Sequence, residues 1–155
     1  MRYDGKIKTY PQLVNFIQQY FQIISVCPEV EIGLGVPRPA VQLSGSINNI
    51  KIVGRDDPDI DVTLAMQKFC AQRPPQLNLI QAYIFKSKSP SCGIKEIPLF
   101  NQQGQITDIS RGVFVSAMLQ HYPDLPITDE QGLLTDSQRE HFLQQVKHYQ
   151  HKPLC

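Results

Sequence analysis

Two short polar segments hold the residue types with the most chemistry in the 155-residue chain: Cys27-Pro28-Glu29 and Ser89-Pro90-Ser91-Cys92-Gly93. Each sets a thiol beside proline or glycine, where regular strand pairing stops and the backbone turns. A thiolate in such a loop can be approached, and the surrounding amides can hydrogen-bond to cluster sulfurs. Glu29 has the ordinary fate of a solvated surface carboxylate, or, beside a metal site, that of a proton shuttle. Lys86 and Lys88 flank the second loop. They either solubilise it or serve as electrophilic partners for an anion or an electron-rich heterocycle. The two cysteines stand 65 positions apart, far outside zinc-knuckle spacing, so only the fold can bring them together.

The remaining reactive side chains read as structural. Cys70 lies on an apolar helical stripe and is expected to be a small buried hydrophobe. Cys155 ends the tail His151-Lys152-Pro153-Leu154-Cys155 and reads as a frayed terminal residue. His148 and His151 have a metal-compatible spacing but sit in a stretch that reads as a solvated tail. Gly33-Leu34-Gly35-Val36-Pro37 runs into prolines instead of opening a helix, which excludes a dinucleotide fingerprint.

The elements that must position these loops follow from periodicity. Thr9 with Pro11 opens a helix whose face carries Leu13, Phe16, Ile17, Tyr20 and Phe21. Residues 21–26 form a β-branched apolar run that predicts a strand with Cys27 at its tip. Residues 41–43 and 50–53 predict a hairpin. Asp59 or Asp61 caps a helix with Val62, Ala65, Met66, Phe69 and Cys70 on one stripe, stopped by Pro74-Pro75. Residues 79–85 read as a buried strand delivering the second cysteine loop, and residues 94–100 as another. A turn at residues 101–104 leads to a helix over residues 110–121. A short strand at residues 125–127 and a helix capped by Thr135 or Asp136, running to about Lys147, complete the chain. Alternating strands and helices predict one α/β domain over residues 1–155, with a mainly parallel sheet and ligands at the carboxyl ends of its strands.

Composition limits the function. Fifteen basic against fourteen acidic residues leave a net charge of +1, which excludes the strong positive field that binds nucleic acid. The longest apolar runs fall far short of the ~20 residues of a membrane span. The N-terminal residues lack the apolar stretch of a signal peptide, so a soluble protein of the reducing cytoplasm is expected, with thiols or metal ligands in place of disulfides.

Three blocks, Arg2-Tyr3-Asp4-Gly5, the stretch from Val26 to Arg38, and the stretch from Ile84 to Gly93, resemble the family known as domain of unknown function 523, whose characterised members are thiouracil desulfidases of the TudS type. Gly104, Gly112-Val113-Phe114 and Tyr122-Pro123 extend the resemblance over nearly the whole chain. It implies a Rossmann-like α/β sandwich and a 4Fe-4S cluster held by three cysteines, with one iron open to substrate sulfur. Cys27 and Cys92 would be two of the ligands, Glu29 would move protons, and Ser91 would assist at the substrate. Asp4, Lys86 and Lys88 would line the pocket of a small thiolated base. The family's first strand carries the third cysteine in a Ser-x-Cys-Leu segment ahead of the Arg-Tyr-Asp-Gly block, whereas here Met1 directly precedes Arg2. The expectation is therefore that the first strand is missing from this chain and the third ligand lies upstream of Met1. Competing readings are a non-catalytic small-ligand or redox-sensing module, and a remnant without cluster. Oligomeric state and exact substrate are not legible.

Overall fold

The computed structural model of the chain describes residues 10–149, so Thr9, Asp4 and Cys155 lie outside the described residues. Helix α1 (Pro11–Tyr20) begins on its proline and buries Leu13 and Phe16. These pack on Phe142, Leu143 and Val146 of the last helix, α5 (Asp136–His148). Thr135 caps α5 through a reciprocal pair with Gln138, as its Thr-x-x-Gln pattern requires. Tyr20, predicted on the buried face of α1, is 52% exposed and lies with its ring against Phe16.

Strands β1 (Val41–Ser46) and β2 (Asn49–Gly54) form the expected hairpin. Beyond them, β1 pairs in parallel with β4 (Ile97–Phe100), which forms a second hairpin with β5 (Ile106–Ser110). The order is β2-β1-β4-β5. A separate parallel pair joins β3 (Tyr83–Phe85) to β6 (Ile127–Asp129). The fold is α/β and its sheets are mixed, because two tight hairpins contribute antiparallel neighbours to the parallel pairings. Helix α3 (Thr63–Gln76) packs between the two sheets, with Met66 buried against Leu43, Ile52, Ile97 and Leu99. Phe85 of β3 joins Phe114, Val115 and Met118 of helix α4 (Val113–His121) in a second cluster.

Several sequence expectations are corrected. Residues 21–26 have no strand pairing, and Ile23 and Ile24 are more than half exposed. β-Branched composition makes a strand only where a neighbouring edge accepts it. The strand expected over residues 79–85 is confined to Tyr83–Phe85, and Leu79 is 84% exposed. Strand β5 was not foreseen, since its residues are largely exposed and carry little apolar alternation. Pro74 and Pro75 lie inside the last turn of α3 instead of stopping it. There the Pro74 ring is fully buried and its carbonyl accepts the Tyr122 hydroxyl at 3.1 Å. Cys70 is half-buried rather than buried, packed between two apolar clusters.

Helix α4 is opened by the cysteine loop itself. Its first amides have no helical partners. Gly112 N–H donates to Gly93 O at 2.7 Å, Val113 N–H to Pro90 O at 3.2 Å, and Phe114 N–H to Ser91 O at 3.0 Å. A Cβ on Gly112 would stand 2.4 Å from Ser91 O and 2.7 Å from Cys92 N, so only glycine allows this approach. Gly112→Ala is expected to destabilise the protein by about 1–3 kcal/mol and to displace residues 90–93, measured by chemical denaturation and by amide chemical shifts of the loop.

Candidate active site

Helix α2 (Pro28–Glu31) is a single turn that starts immediately after Cys27. Its proline removes an amide that would otherwise be unsatisfied, and its rotation carries Glu29 inward. Glu29 is 8% exposed and Ser91 is fully buried. The chain then passes through Gly33 at φ +99°, a backbone conformation that favours glycine, and returns Arg38 to the same place.

The result is a network on one carboxylate. Arg38 Nε donates to Glu29 Oε2 at 2.8 Å as a buried ion pair. Ser91 Oγ donates to Oε1 at 3.0 Å and Ser89 Oγ to the same atom at 3.3 Å. Ser89 Oγ in turn accepts from the amides of Ser91 and Cys92 at 3.2 and 3.1 Å. Arg38 Nη2 reaches Cys27 Sγ at 3.8 Å. Burial pushes the Cys92 thiol strongly up, and the nearby Glu29 and Cys27 charges add to it, so the two cysteine segments share one electrostatic environment. Burial also raises the Cys70 thiol, to about 11. Among the described residues no third metal-ligating side chain joins Cys27 and Cys92.

A cavity of about 240 Å³ adjoins Cys92 and is lined by Val26, Tyr83, Phe85, Lys86 and Glu130 among others. Lys86 is not free. It pairs with Glu130, which also accepts from the Ser87 amide at 2.9 Å and from the Ser87 hydroxyl. Lys88 is exposed, stands at φ +59° and does not line the cavity. The structure thus brings Cys27, Glu29, Ser91 and Cys92 together, places Lys86 at the adjoining cavity, and leaves Lys88 at the surface. Arg38 and Glu130 were missed. Arg38 sits in a Gly/Pro-rich loop that reads as solvated, and its only signal was the family block that ends on it. Glu130 follows a short strand and offered none.

The family model described as 2-thiouracil desulfurase matches residues 1–130. The chain belongs to that family. Membership makes it a desulfidase-type enzyme. A solved structure titled as a 4Fe-4S-dependent thiouracil desulfidase, TudS, is similar at a TM-score of 0.53 and 24% identity over 84% of this chain and 83% of that one, a likeness of fold. No curated protein sequence matches the chain. No helix among the described residues is long and apolar enough to cross a membrane.

Burial opposes the Glu130 charge, but hydrogen bonds from Lys86 and from the Ser87 hydroxyl and amide outweigh it and hold the carboxyl at about 2. A depressed folded-state value stabilises the protein above the ordinary carboxylate range, and the contribution is lost as pH falls from about 4.3 toward 2. Glu130→Ala is expected to cost about 2 kcal/mol at neutral pH, and the difference from wild type should shrink across that acid window in denaturant titrations.

Proposed function

We propose that the protein is an iron–sulfur-dependent desulfidase of the reducing cytoplasm, removing sulfur from a thiolated pyrimidine such as thiouracil. The observation that carries this reading is the meeting of both cysteine segments on one buried carboxylate, with Ser91 next to Cys92 and Glu29 two residues from Cys27. Soft thiolates near an arginine donor and loop amides suit an iron–sulfur group. Cys27 and Cys92 would hold two irons of a 4Fe-4S cluster. When bound, that group supplies a Lewis-acidic iron that accepts the thiocarbonyl sulfur. The parallel β3–β6 pair with α3 and α4 packed on it supports a Rossmann-like description of the fold.

The side chains account for the rest of the reaction. Water replaces the C=S bond of the base with C=O, sulfur leaves as sulfide, and no electrons are gained or lost overall. Glu29 Oε1 takes the proton of the attacking water and returns one to the departing product. Ser91 Oγ, donating to the same oxygen, fixes the carboxylate's direction, and by the family resemblance it would assist at the substrate. The cavity beside Cys92 has room for a single small ring. Lys86, at its edge and ion-paired with Glu130, is a candidate for contact with an electron-rich heterocycle. Asp4 and Lys88 are further candidates for substrate contact.

Anaerobic reconstitution of the protein with all three cysteine ligands present, followed by visible and electron paramagnetic resonance spectroscopy with thiouracil turnover, tests this reading. Cys27→Ser and Cys92→Ser should each lose the cluster signal and turnover, whereas Glu29→Gln should keep the signal and lose roughly 10²- to 10⁴-fold in kcat. Cys70→Ala should cost about 1 kcal/mol of stability and leave both readouts intact. Turnover undiminished in both serine variants would overturn the assignment, and thiouracil binding without cluster or turnover would identify a non-catalytic ligand module.

A further inference from the structure

Among the described residues, Arg38 is the side chain that reaches both the Glu29 carboxylate and the Cys27 sulfur. The residue is 9% exposed, and two nitrogens of its guanidinium are directed at different partners: Nε at the Glu29 carboxylate, 2.8 Å away, and Nη2 at the Cys27 sulfur, 3.8 Å away. The third nitrogen, Nη1, is buried and has no hydrogen-bond acceptor among the described residues. An arginine retained for stability alone would be expected to satisfy its buried donors with protein acceptors, because an unmet buried N–H works against folding. A thiolate is also a poor choice of acceptor if packing were the purpose. We propose that Arg38 is a positioning residue of the desulfuration site, fixing Glu29 with one arm and donating to the sulfur of Cys27 with the other, an inference that rests on the iron–sulfur reading above.

Two consequences follow from ordinary chemistry. A hydrogen bond to a cluster thiolate withdraws electron density from the sulfur, which favours the more electron-rich, reduced form of the cluster and raises its reduction potential. Fixing the carboxylate by an ion pair on Oε2 leaves Oε1 to the two serines, so the proton-handling oxygen faces the Cys92 loop rather than the arginine. The fork is specific to arginine. A lysine supplies one point charge and cannot direct separate, rigidly spaced donors to an oxygen and a sulfur.

The experiment compares wild type, Arg38→Lys and Arg38→Gln after anaerobic reconstitution. Iron content and circular dichroism check that each variant is folded and loaded, and the cluster is then titrated potentiometrically alongside kcat and KM for thiouracil. Arg38→Gln should shift the midpoint potential to more negative values and lower kcat by about 10- to 100-fold, with a smaller change in KM. Arg38→Lys should recover part of the potential but little of kcat, and it carries the test if Arg38→Gln fails to fold. A loaded, folded variant with wild-type potential and kcat overturns the assignment of Arg38 alone. A protein with all three cysteine ligands present that takes up no cluster overturns the assignment together with the iron–sulfur reading.

Discussion

One buried carboxylate, that of Glu29, accepts hydrogen bonds from two chain segments: Arg38 from the Gly/Pro-rich loop that follows it, and Ser89 and Ser91 from the loop after β3, remote in sequence. A charge removed from water at this depth is stable only if its lone pairs are all answered, and removing its cationic partner typically costs about 3–5 kcal/mol. The surrounding backbone is arranged to answer them. Pro28 starts a helical turn that carries Glu29 inward, Gly33 lets the chain reverse toward Arg38, and Gly112 lets the cysteine loop lie against the start of α4. Each is a local choice that matters because of that carboxylate.

The loop from Lys86 to Gly93 has no secondary structure of its own, yet it is held along its whole length. Glu130 fixes its beginning through Lys86 and Ser87, Glu29 fixes its middle through Ser89 and Ser91, and the amides of α4 fix its end. Two carboxylates and a helix N-terminus thus replace the ladder that a strand would have provided. Such anchoring positions Cys92 with little freedom, which is what a site that must hold a sulfur ligand beside a proton carrier requires.

Much of the site was legible because its chemistry is local. Proline and glycine around Cys27 and Cys92 marked loops instead of core, and Glu29 and Ser91 stood within two residues of those thiols. Glu130 was not legible because its role exists only across a long sequence separation, and Arg38 because an irregular Gly/Pro-rich loop returns it to Glu29. An arginine between two prolines and a glutamate after a short strand look solvated until the fold closes over them. The last helix was readable from its cap at Thr135, whereas the N-cap of α3 is Val62 and not Asp59 or Asp61, and that of α1 is Tyr10. Residues 21–26 misled because a β-branched run states a preference that only a neighbouring strand can satisfy, and β5 was hidden because an exposed edge strand needs no apolar alternation.

The central claim, that Glu29 joins the two cysteine segments into one unit, is tested most directly by hydrogen exchange in Glu29→Ala, in the protein without added iron. The account predicts faster amide exchange in both residues 27–38 and residues 87–93, with the β1–β2 hairpin unchanged. Acceleration confined to residues 27–38, with the Ser89–Gly93 loop as protected as in wild type, would contradict it.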